Sequence, residues 1–166
     1  MRKIPTSKWV AQKHLGYDCS IVSTYLALNI HIIFSTKNRT PFQTDDLLEQ
    51  MLRYLVGTIQ GLGAVSIKVG GVADHVHILV RIKSTQSVSN FVQELKKSSS
   101  HWARERSPSF AWQDGYAAIS VSPSDLPMIA NYILNQPDHH HQITFEEERL
   151  EILKMAAIEY DPKYLD

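Results

Sequence analysis

With 166 residues, 43% of them apolar and 20% charged, the chain is long enough to bury a core and too hydrophobic to be a disordered segment. Its single cysteine, Cys19, excludes an intrachain disulfide and fits a reducing compartment, and no apolar run approaches the ~20 residues of a membrane span. The formal net charge of zero hides an uneven distribution: Arg81 to Arg106 carries six basic residues against two acids, whereas Asp138 to the end carries eight acids against three bases. A basic middle and an acidic tail present different local fields to partners, although ordinary solvated helix faces would produce the same asymmetry. The polar start lacks the apolar run of a secretory signal, so a cytoplasmic location is expected.

Residues 1–22 read as an N-terminal extension and residues 23–166 as a single domain, with no internal repeat, low-complexity tract or Gly/Ser linker. "YLALNIHIIFST", Tyr25 to Thr36, is rich in β-formers and reads as the first strand. Thr44 followed by Asp45 and Asp46 marks a helix start, and Leu48, Leu52, Leu55 and Ile59 recur at helical spacing up to Gly61 and Gly63. "AVSIKVGG" is a second strand, joined by a hairpin through Gly70 to Asp74 to a third that begins with "HVHILVRI".

Val88, Phe91, Val92, Leu95 and Trp102 give a second amphipathic helix. "FAWQDGYAAISVS" reads as a fourth strand, bent at Gly115. A third helix follows "SPSD" and is expected to end near Pro137, which has no N–H to donate. "FEEERLEILKMAAIEY" reads as a last helix, with its acids at the positive end of the dipole. The order β-α-β-β-α-β plus two helices predicts an α+β fold of the ferredoxin-like, RRM-like kind, with an antiparallel sheet and both crossover helices on one face. The other face is then available for binding, unless further helices cover it.

Alternation along the third strand puts Val76, Ile78, Val80 and Ile82 on one face and His75, His77, Leu79 and Arg81 on the other. The two imidazoles are expected to project from the face that the crossover helices do not cover, roughly 7 Å apart along the strand. Two histidines are an incomplete metal site, because a divalent cation takes four to six ligands. Spacing alone leaves two readings open: polar residues on a solvated face, or half of a metal clamp.

The third helix carries "YILNQ", which places Tyr132 and Gln136 four residues apart on one face. A helical tyrosine is commonly a packing residue, and an amide is a weak ligand unless stronger ones are in place. Together with the histidines, however, these residues describe a chemical device. A phenol with a pKa near 10 attacks a phosphodiester only with help, and a metal on the non-bridging oxygens provides it.

At this point the chain resembles the single-tyrosine transposases of the IS200/IS605 type, including the REP-associated ones, within the HUH endonuclease superfamily. The matching stretches are "HIIFSTKNRTPF", "GGVADHVHILVRI", "FVQELKKSSSHW", "FAWQDGYAAISVS" and "YILNQPDHHHQITFEEE", spanning about residue 23 to the C-terminus. The resemblance implies that Tyr132 attacks single-stranded DNA, forming a 5′-phosphotyrosine link and releasing a 3′-OH. It assigns His75, His77 and Gln136 to a Mg²⁺ or Mn²⁺ ion. It further implies recognition of a DNA hairpin and a homodimer in which the tyrosine helix can complete the partner's site. Lys37, Arg39, Lys96 and Lys97 are candidates for phosphate contacts, and Trp102 or Trp112 for base stacking.

The run Asp138 to His141 is expected to lie in a loop after the tyrosine helix, solvated or facing DNA, and outside the metal site. The first twenty or so residues match nothing expected of such a protein, and the overall charge is less basic than a DNA enzyme usually carries. A non-catalytic RRM-like module on the same fold would need paired aromatics on its central strands, where this chain has histidines. A domesticated relative that nicks hairpin DNA without mobilising an element would have the same residues.

Overall fold

The computed structural model describes residues 25–140 and 143–160; the expected N-terminal extension over residues 1–22 lies outside them. Four strands, β1 (Asn29–Ser35), β2 (Val65–Val72), β3 (His75–Arg81) and β4 (Ala117–Ser120), form one antiparallel sheet in the order β2-β3-β1-β4. This is the expected α+β topology, in which α1 (Asp45–Gly61) and α2 (Val88–Arg104) connect the strands.

Local chemistry accounts for both crossover helices. Thr44 caps α1 by accepting from the Leu47 N–H, and Ser87 caps α2 by accepting from the Asn90 N–H. Leu47, Met51, Leu55 and Ile59 of α1 and Phe91, Val92 and Leu95 of α2 close over Ile32, Phe34, Val76, Ile78 and Val80 of the sheet. The alternation read from the third strand is therefore correct on its apolar side.

Three further helices, α3 (Leu126–Leu134), α4 (Gln136–His139) and α5 (Phe145–Met155), follow β4. They correct two expectations. The second sheet face is not open: Ile133 of α3 packs on Leu79 and Val121, and Phe145 and Ile152 of α5 pack on Ile33. Pro137 does not terminate the tyrosine helix. That helix ends at Leu134 with Asn135 as its cap, and Pro137 sits in the first turn of α4, where its missing N–H would have had no intrahelical partner.

The fourth strand is also shorter than expected. Only Ala117–Ser120 pairs with β1, and Trp112 makes a single bridge to Thr36. The Lys96 ammonium takes the carbonyls of Gln113 and Gly115, at 2.5 and 2.7 Å, and Gly115 turns the chain with a φ of 78°. Among the described residues no helix is long and apolar enough to cross a membrane.

Candidate functional site

The register across the sheet places Gly70, His77 and Ile33 in one row and Val72, His75 and Ser35 in the next. Gly70 has no Cβ, and α3 comes close against its backbone. A Cβ there would stand 2.6 Å from the Ile133 carbonyl oxygen and 2.8 Å from Ile133 Cγ2. This close approach brings the preceding residue, Tyr132, over His77, with their ring centroids 5.8 Å apart. Tyr132 thus meets a histidine of its own chain.

His75 and His77 are both fully buried, which removes the first of the two open readings, polar residues on a solvated face. Each is held from behind. His75 Nδ1 lies 2.8 Å from Asp74 Oδ1, and His77 Nδ1 lies 3.0 Å from His31 Nε2. The Asp74 turn is in turn tied to the end of β1, because its carbonyl accepts from the Thr36 N–H at 2.8 Å. With Nδ1 engaged in both rings, Nε2 is the nitrogen left facing inward, and in neither ring does it have a hydrogen-bond partner.

Opposite these nitrogens is Glu148 of α5, 1% exposed. Its Oε1 accepts from the Tyr132 phenol and from Gln136 Nε2, the latter at 2.8 Å, and lies 3.5 Å from His77 Nε2. Its Oε2 lies 3.0 Å from His140 Nε2 and 3.4 Å from His75 Nε2. The donor atoms of His75, His77, His140 and Glu148 all fall within 4.8 Å of one another, a group able to hold a metal ion. Gln136 Oε1, buried and without a hydrogen-bond partner, adds another potential donor.

Burial governs the electrostatics. It draws the His77 imidazole down to about 4, with His75 and His140 adding to the effect against the pull of Glu148. Burial and the neighbouring His77 take His31 to about 3. Both are therefore neutral near pH 7, the state a metal requires of an imidazole. Burial acts to lower His75 as well, but the hydrogen bond with Asp74 and the nearby Glu148 carboxylate outweigh it and the net direction is up. Burial acts to raise Glu148, yet the surrounding imidazoles hold it below the usual carboxylate range. The Tyr132 phenol is pushed up by burial and by its hydrogen bond to the Glu148 carboxylate, so it stays protonated and donates.

Tyr132, Gln136, His75 and His77, all singled out in the sequence, converge in this one place. His140 corrects the expectation for the histidine run, because α4 turns it inward onto Glu148 and its ring sits 4.5 Å from that of His75. The position of His141 lies outside the described residues. Two residues escaped the sequence reading. His31 could have been found as an imidazole alternating with apolar residues in "NIHIIFS". Glu148 could have been found as a carboxylate on the apolar face of α5, between Phe145 and Ile152 at spacings of three and four.

The cationic candidates divide into two groups. Lys37 and Lys97 are exposed. Arg39 pairs with Asp74 at 3.1 Å and Glu146 at 3.3 Å, and Lys96 is turned inward onto its two carbonyls. Trp112 is a core residue that donates to Ser99 Oγ, and Trp102 stacks between Tyr54 and the Arg106 guanidinium.

Two clefts flank the site. One of about 490 Å³ is lined by Arg39, Asp74, His140 and Phe145. The other, of about 330 Å³, is lined by His31, Met128, Tyr132 and Met155.

A family model described as "Transposase IS200 like" matches residues 24–136. No curated protein matches the chain. Among solved structures, a candidate transposase from Deinococcus radiodurans R1 superposes with a TM-score of 0.58 at 23% identity, covering 69% of this chain and 95% of that one. A REP-associated tyrosine transposase bound to a REP hairpin superposes with a TM-score of 0.54 at 18% identity, covering 75% of this chain and 76% of that one. At these identities the likeness is one of fold.

Proposed function

Because the chain belongs to the IS200-like transposase family, we propose that it cleaves and rejoins single-stranded DNA beside a hairpin, with Tyr132 as the nucleophile. The observation that carries this reading is the meeting of Tyr132 and Gln136 on one carboxylate oxygen, directly opposite the unpartnered Nε2 atoms of His75 and His77. The Tyr132 oxygen forms a bond to phosphorus as the bond from phosphorus to O3′ breaks. This leaves a 5′-phosphotyrosine and a free 3′-OH, and the proton lost by the phenol balances the one gained by the 3′ oxygen. Reversal by a second 3′-OH rejoins the strand.

Glu148 orients the phenol through the hydrogen bond it accepts. His75, His77 and Gln136 would hold Mg²⁺ or Mn²⁺, and imidazole donors suit Mn²⁺ better. A divalent ion bound there would neutralise the non-bridging phosphate oxygens. Lys37 and Lys97 are the available phosphate contacts, with Arg39 at the rim of the larger cleft. The relative whose structure contains a REP hairpin supports the choice of hairpin DNA as substrate. In a homodimer the tyrosine helices need not be exchanged, since Tyr132 lies against His77 of its own chain.

The test is a denaturing gel with labelled hairpin substrates, with and without Mn²⁺. The wild-type chain is expected to form a covalent adduct and Tyr132→Phe none, while hairpin binding persists. An adduct with Tyr132→Phe would remove the tyrosine from this role.

A further inference from the structure

We propose that the metal shell in this chain extends to His140 and Glu148, so that the ion fastens helix α5 to the sheet. The inference rests on the proposed metal dependence, and not on Tyr132 acting as nucleophile. The family match ends at Gln136, so both residues lie beyond it.

The first ground is convergence. Glu148 stands 3.4 and 3.5 Å from two imidazole nitrogens that have no hydrogen-bond partner, and 3.0 Å from a third imidazole. The two longer separations are poor hydrogen bonds, but they suit donors arranged around a shared cation, whose ligands stand farther apart than hydrogen-bonded atoms. The second ground is the cost of burial. A carboxylate excluded from water needs compensating charge, and the groups that face it are the imidazoles of His75, His77 and His140, the Tyr132 phenol and the Gln136 amide. A divalent cation among these donors would supply that charge.

The third ground is the seating of α5. Its apolar anchors are Phe145, against the His75 ring at 4.3 Å, and Ile152 against Ile33. Glu148 lies between them and carries the helix's polar attachment to the sheet. An ion shared by Glu148 with His75 and His77 therefore links α5 to β3.

The probe is Mn²⁺ added to the full chain after EDTA treatment, read by calorimetry and by amide hydrogen exchange. One Mn²⁺ is expected to bind per chain and to slow exchange across Phe145–Met155. Glu148→Gln, which preserves size, and His140→Ala are expected to weaken binding at least tenfold and to remove the protection. Tyr132→Phe should retain both. If His140→Ala fails to fold, Glu148→Gln and the wild-type comparison with and without Mn²⁺ still decide the question.

Wild-type affinity in Glu148→Gln, or α5 exchange indifferent to Mn²⁺, would overturn the inference and leave an ion on His75, His77 and Gln136. No binding by the wild type would overturn the inference and the metal reading together, while adduct formation would still test Tyr132 by itself.

Discussion

The imidazole of His31 lies 3.0 Å from that of His77, and through this contact a first-strand residue sets which nitrogen of a third-strand residue faces the site. An ion held at His77 Nε2 would leave the ring proton on Nδ1, to be donated to His31 Nε2. Groups that orient a metal's ligand in this way typically contribute 10–100-fold to affinity or activity. His31→Phe keeps a ring in place but removes the acceptor, and about a tenfold loss of Mn²⁺ affinity is expected. Calorimetry on that variant checks this, and unchanged affinity would mean that the tautomer is set elsewhere.

His75→Ala and His77→Ala are expected to abolish metal-dependent cleavage. As both side chains are fully buried, truncation should also cost stability, on the order of 1–3 kcal/mol, through lost packing and newly unpaired neighbours. Denaturant melts of the metal-free variants measure that cost. A variant as stable as the wild type would indicate that the histidines contribute nothing to packing.

Gly70→Ala tests how the tyrosine is positioned. The added methyl would collide with the Ile133 backbone oxygen, and neither β2 nor α3 can yield by a side-chain rotation alone. A loss of about 1–3 kcal/mol is expected. Cleavage should fall with it, because Tyr132 precedes the displaced residue. A variant with wild-type stability and rate would show that α3 tolerates a shift.

Acidification should destabilise the metal-free chain. His31 and His77 have folded values of about 3 and 4 against an ordinary 6.5, so between about pH 6.5 and pH 4 the unfolded chain binds more protons. Their contribution is complete above pH 6.5 and is lost as the pH falls towards 4. Glu148, depressed from 4.5, extends the loss to lower pH. His75 acts in the opposite direction: its raised value stabilises below pH 6.5, and this is lost as the pH rises through its folded value. Melts across pH 4–7 should show the decline, and the double variant His31→Phe, His77→Phe should flatten it. An equal slope in that variant would refute the assignment.

Thr144→Ala should loosen α5 selectively. Thr144 accepts from the Glu147 N–H while the Glu147 carboxylate accepts from the Thr144 N–H, a reciprocal cap whose loss costs about 1 kcal/mol. Faster exchange across Phe145–Met155 with little change in α1 and α2 is the expected result. Uniform acceleration would mean that α5 opens only with the whole domain.

Much of this architecture was legible because it is periodic. Alternation in "HVHILVRI" separated the core face from the histidine face, and Thr44 with its two aspartates marked the start of α1. The ordering Tyr132, Gln136 needed only the pitch of a helix. The covering of the second face had no such local mark. Nothing periodic in "QPDHHHQITFEEE" says that its second histidine, His140, and third glutamate, Glu148, return to a strand 63–73 residues earlier. That contact exists because α4 turns the chain and Phe145 and Ile152 find Ile33, which is a property of the packed molecule. The shortened fourth strand is a similar case, since the competitor for its carbonyls is a lysine on another element.

The donors also divide by position along the chain. His31, Asp74, His75 and His77 precede the loop after β4, whereas Tyr132, Gln136, His140 and Glu148 follow it, in one stretch of 17 residues. A nascent chain emerging from the ribosome therefore presents its sheet and both crossover helices first, with half a site and no nucleophile. Under the proposed function, reactivity towards DNA would arrive only after the sheet and both crossover helices have been made, and every premature stop before Tyr132 would yield an inert product.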